Sequence, residues 1–105
     1  MLRFKPSTRL RGAAPELVLG VFACERHYAR HGFDLTVTSV TDGDHKPGSL
    51  HHIGCAVDLR LPPINATTEP LVMQRFVSDL REVLGVEFDV VLEGDHIHVE
   101  YDPKR

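Results

Sequence analysis

The strongest constraint in this chain is a two-residue alternation near its C-terminus, "HIHVEY" at His96–Tyr101. Successive side chains of a strand point to opposite faces. Ile97, Val99 and Tyr101 therefore share one face, and His96, His98 and Glu100 share the other. The apolar face must turn toward a core, which leaves two imidazoles and a carboxylate displayed together on the far side. The same alternation recurs over Cys55–Leu61. There Cys55, Val57, Leu59 and Leu61 form the core side, and Ala56, Asp58 and Arg60 the other. If these two strands are neighbours in one sheet, Asp58 and His98 converge.

The remaining elements follow from periodicity and from the residues that punctuate it. Pro15–His31 is predicted helical, because Leu17, Val21, Cys24 and Tyr28 recur at helical steps, Pro15 suits the first turn and Gly32 the stop. His27 and His31 sit one turn apart beside Arg26 and Arg30 and read as a solvated helix end. No glutamate follows His27, so the pair is not an HExxH metal helix. Phe33–Val40 is a predicted strand with Leu35 and Val37 on one face, and Thr41–Ser49 is a loop by composition. After a connector at Pro62–Thr68, Glu69–Leu84 is a second helix with Leu71, Phe76, Leu80 and Val83 near one face and Gly85 at its end. Val86, Phe88, Val90 and Leu92 alternate along a further strand, and a tight turn at Gly94 joins it to the last strand as a hairpin. Short strands, loops and a hairpin predict an α+β fold: one small domain over residues 1–105, with a mainly antiparallel sheet and helices packed on one face.

Composition removes several function classes. A length of 105 residues supports one core. A formal net charge of -3 gives no basic footprint, so no nucleic-acid partner is expected. No apolar run approaches the roughly 20 residues that span a bilayer. The basic N-terminal stretch "MLRFKPSTRLRG" lacks the apolar core of a signal peptide. The expectation is a cytoplasmic monomer without membrane contact. Its two cysteines, Cys24 and Cys55, read as free thiols used as small apolar residues. Asn65-Ala66-Thr67 matches a glycosylation acceptor, which carries little weight without a secretory signal.

The polar faces suggest a metal. His51 precedes the Asp58 strand, and Gly54 between them permits a bend that returns His51 over the polar face. His51, Asp58 and His98 make a set of two imidazoles and one carboxylate, which suits zinc with a fourth position left for water. A nearby carboxylate can act as general base, and Asp95 and Glu93 in the hairpin turn are closest in sequence. His52 points away from His51 in an extended segment and reads as a rim residue. Glu100 shares the His98 face and is a candidate to orient its imidazole. Spacing alone leaves an ordinary solvated polar face as an equal alternative.

Two motifs go further. "SLHHIGCAVD" fits Ser-x-His-x-x-Gly-x-Ala-x-Asp, with Ser49, His51, Gly54, Ala56 and Asp58 in the defined positions. "DHIH" places Asp95 three residues before His98 and ends on His96-x-His98. In both, from about Leu35 to Tyr101, the chain resembles the M15 family of zinc peptidases, the D-alanyl-D-alanine carboxypeptidase and peptidoglycan endopeptidase group. The resemblance implies one zinc ion held by His51, Asp58 and His98, with Asp95 as general base. It implies that His96 lies beside the metal, orienting the water or stabilising the oxyanion, and that Ser49 shapes the first motif near the substrate. It implies a small α+β domain acting on peptidoglycan stem peptides, as phage and bacterial members do. Access to the wall would then need lysis, a holin-type partner or delivery in a virion.

One departure bears on specificity. Many members carry an arginine after the Thr-Ser of the first strand, where this chain reads Val40-Thr41-Asp42-Gly43. His45, Lys46 or Arg60 are the candidates to replace it, Arg60 because it shares a face with Asp58. A non-catalytic zinc-containing binding module of the same fold is the alternative, although such modules usually lose the base and Asp95 is retained here. A His-rich metal nuclease is disfavoured by the net charge and by the strand placement of His98.

Overall fold

The computed structural model describes residues 1–40 and 55–103. Its strands in chain order are β1 (Leu2–Phe4), β2 (Leu35–Ser39), β3 (Ala56–Arg60), β4 (Phe88–Leu92) and β5 (His96–Tyr101), with helices α1 (Pro15–Arg30) and α2 (Pro70–Leu84). The strands form one sheet in the order β1-β2-β3-β5-β4. β1 runs parallel to β2, and the other described pairs are antiparallel. This is the α+β architecture expected from the alternation, with both helices against the sheet.

The alternation decides which side they take. Leu35, Val37, Val57, Leu59, Val90, Ile97 and Val99 leave the sheet on one face. They meet Leu17, Val21, Cys24 and Tyr28 of α1 and Met73, Phe76, Val77 and Leu80 of α2. Pro15 occupies the first turn of α1 and Gly32, at φ 80°, follows its end. Tyr28 is fully buried, and its hydroxyl donates to the Arg60 carbonyl at 2.8 Å, tying α1 to the end of β3. Cys24 is buried and Cys55 is half-buried, and no disulfide joins them. Burial pushes the Cys24 thiol up to about 12, so it packs as an inert apolar group. Among the described residues no helix is long and apolar enough to cross a membrane.

Four expectations are corrected. β1 falls in a stretch with no strand signal, because a three-residue edge strand with one half-buried side chain, Leu2, shows no period. Leu71 and Val83 of α2 are exposed, and Met73 and Val77 take their places in the core beside Phe76 and Leu80. Val86 is exposed and precedes β4, because Phe88 N–H first closes a turn onto Gly85 O. His27 is also not solvated: it is 3% exposed and its Nε2 meets Phe76 O at 3.0 Å.

Candidate metal centre

β5 lies in the sheet beside β3, and the register fixes what faces what. Asp58 pairs with His98, Arg60 with His96 and Ala56 with Glu100. Asp58, His96, His98 and Glu100 thus share the face away from the helices. A β-bulge lies beside them. Val37 pairs with Leu59 and Ser39 with Asp58, so β2 spends one residue more than β3 at this point. The extra residue resets the phase of β2 and returns Val40 to the core. Thr38 Oγ1 donates to the Asp58 carbonyl at 3.3 Å, which anchors the backbone under the Asp58 carboxylate.

His98 is held from both ends. Its Nδ1 donates to Asp58 Oδ1 at 2.8 Å and its Nε2 to Glu100 Oε1 at 2.7 Å. An imidazole between two carboxylates favours its charged form, and the His98 pKa is pushed up to about 9. The bond to Asp58 contributes most, burial opposes it and Glu100 adds to it. His96 has a similar arrangement. Its Nδ1 meets Asp95 Oδ1 at 2.5 Å, and its Nε2 stands 3.5 Å from Asp58 Oδ1.

Asp58, His96 and His98 each offer one ligand atom, and these atoms lie within 4.8 Å of one another. The set could hold a metal ion. Two imidazole nitrogens and a carboxylate oxygen are the donors of many zinc sites. Each ring turns one nitrogen toward Asp58 and rests the other on a carboxylate, the support that metal-binding histidines commonly have. An ion held by Asp58 and His98 would take the place of a ring proton, since a ligating nitrogen must be unprotonated.

Asp58 and His98 come together as the alternation requires. His96, expected beside the metal, stands within the same cluster as a third candidate ligand. Asp95 is 91% exposed and contacts the His96 nitrogen that points away from Asp58. Arg60 is exposed, on the Asp58 face and across from His96. His51, His45 and Ser49 lie outside the described residues, as do Lys46, His52 and Gly54. The part of His96 as a ligand was open to the sequence, since alternation alone puts it on the His98 face. The bulge carried no sequence signal.

No family model matches the chain, and no match is found among curated proteins or solved structures.

Proposed function

We propose that this protein is a zinc metallopeptidase that hydrolyses peptidoglycan stem peptides, as a D-Ala-D-Ala carboxypeptidase or as an endopeptidase. The observation that carries the reading is the convergence of Asp58, His98 and His96 on the open face of the sheet. Its fit with the motifs around Asp58 and His98 supports the peptidase chemistry. Asp58 and His98 hold the ion together with a further imidazole. A bound zinc ion supplies a water of lowered pKa and a polarised carbonyl oxygen. Asp95 takes the proton from the attacking water and passes it to the leaving amine. Arg60, with His45 and Ser49, positions the substrate.

Two imidazoles compete for the third ligand position, His51 by motif and His96 by distance. The reading assigns it to His51 and leaves His96 to orient the water or steady the oxyanion. His51→Ala should lose zinc, and His96→Ala should keep zinc but turn over slowly. Metal analysis of the purified variants checks this, and the reverse pattern moves His96 into the ligand set. Asp95→Asn should keep zinc and lose hydrolysis by about 100-fold or more, the scale of a general base.

Digestion of purified peptidoglycan, with mass spectrometry of the fragments, tests the activity. New termini that need both zinc and Asp95 support the peptidase, and their position names the bond. A zinc-loaded protein that cuts nothing is instead a binding module of the same fold.

A further inference from the structure

We infer that Glu100 is a positioning residue for the metal centre: it holds Nε2–H of His98 so that Nδ1 is the nitrogen presented to the ion. The inference rests on the reading above, that Asp58 and His98 bind a metal, and goes beyond it to an atom and its support.

A neutral imidazole has one N–H and one lone pair, and their placement depends on what each nitrogen meets. At His98 the two nitrogens meet different things. Nδ1 points at Asp58 Oδ1 at 2.8 Å, toward the carboxylate of the candidate ligand set. Nε2 points at Glu100 Oε1 at 2.7 Å, toward a carboxylate that is not one of the three candidate ligands. A carboxylate only accepts hydrogen bonds, so Glu100 requires a proton on Nε2. When the ring gives up its other proton to bind a metal, the lone pair must then appear at Nδ1.

The placement of Glu100 makes it an effective anchor. It lies two residues along β5 from His98, on the same face, with its backbone fixed between Ala56 of β3 and Asp89 of β4. Ala56 is fully buried and small, which leaves room for the Glu100 side chain to lie along the sheet toward His98. Glu100 is 30% exposed, so its carboxylate is partly shielded from water. Asp95, behind His96, is 91% exposed on a turn and competes with solvent throughout. Of the two carboxylates behind imidazoles, Glu100 is therefore the one that fixes a ring.

Glu100→Gln and Glu100→Ala test the inference in the full-length protein. The glutamine amide can accept from Nε2–H or, turned over, donate to an Nε2 lone pair, so it stops selecting one form. Alanine removes the contact. Zinc affinity is measured by competition with a chromogenic chelator, and the His98 tautomer is read from ring nitrogen NMR shifts in the zinc-bound protein. The expected result is zinc bound at Nδ1 with Nε2 protonated in the unaltered protein. Affinity should fall about 10- to 100-fold in the alanine variant and less in the glutamine variant, the range for removing such a support. The apo variants should keep the far-ultraviolet circular dichroism of the parent. Equal zinc affinity and an unchanged tautomer in both variants overturn the role of Glu100 and leave the metal site standing. Zinc bound through Nε2 of His98 in the unaltered protein also overturns it. No zinc binding by the unaltered protein overturns this inference and the reading beneath it together.

Discussion

His27 has the spacing and neighbours of a surface residue, yet it lies between the two helices. A carbonyl only accepts, so the 3.0 Å contact with Phe76 O fixes the proton of the neutral ring on Nε2. The ring packs on Phe76 with centroids 4.6 Å apart. A second proton would put a charge in that packing, and burial lowers the His27 pKa, with His31 and Arg30 adding repulsion against Phe76 O and Asp79. The unfolded chain takes up this proton near pH 6.5, and the folded protein takes it up only at lower pH. Between those two values the unfolded state binds more protons. The contribution of His27 to stability is therefore complete above pH 6.5 and is lost as the pH falls through the window. As the pH falls below 6.5, loss of this contribution should lower the urea midpoint. His27→Gln, whose amide can still donate to Phe76 O, should decline less steeply. Identical slopes for the two proteins would place the acid sensitivity elsewhere.

At the scale of elements, β4 is one of the two edge strands of the described sheet, and α2 covers part of its outer side. Glu93 N–H bonds to His96 O and Asp102 N–H to Glu87 O, so odd-numbered residues turn their backbone groups toward β5. Phe88, Val90 and Leu92 turn theirs outward. The middle carbonyl of that edge, Val90 O, accepts from Arg81 Nε at 3.0 Å. A charged side chain on an edge strand discourages pairing with another sheet, and exposed Val91 and Leu92 make the protection useful here. Arg81→Ala should self-associate at concentrations where the parent sediments as a monomer, and a variant that stays monomeric removes this role from Arg81. The same elements show how much was legible beforehand. β3 and β5 could be read because an apolar residue stands at every second position, and that reading puts Asp58 and His98 on one face, but their contact also needs the pairing of β3 with β5. α2 could be read as a helix but not in phase. Leu71, Val72, Met73, Phe76, Val77, Leu80, Val83 and Leu84 surround it, and only the sheet beneath selects Met73, Phe76, Val77 and Leu80. β1, and the bulge that resets β2, depend on a partner strand distant in sequence, so no local pattern announces them.

Across the whole molecule, the sheet separates two tasks. One face meets both helices and holds the core, and the other carries Asp58, His96, His98 and Glu100. These residues come from strands far apart in sequence: Asp58 and His98 are 40 positions apart and meet only when β3 and β5 pair. An unfolded chain therefore presents no assembled site, and an ion bound by this set adds its binding free energy to folding. Zinc at about 100 times its dissociation constant should stabilise the protein by roughly 2.7 kcal/mol. For a domain of this size that raises the thermal midpoint by about 10–20 °C, and a chelator should reverse the shift. Magnesium should move it far less, because it prefers oxygen donors and gives up its water reluctantly. His98→Ala should abolish the zinc shift while the helix-facing core, Ile97 and Val99 included, stays intact. This measurement needs no substrate, so it separates metal binding from peptidase activity. A midpoint that zinc leaves unmoved in the parent protein would show that the open face carries a salt-bridged polar cluster and no metal site.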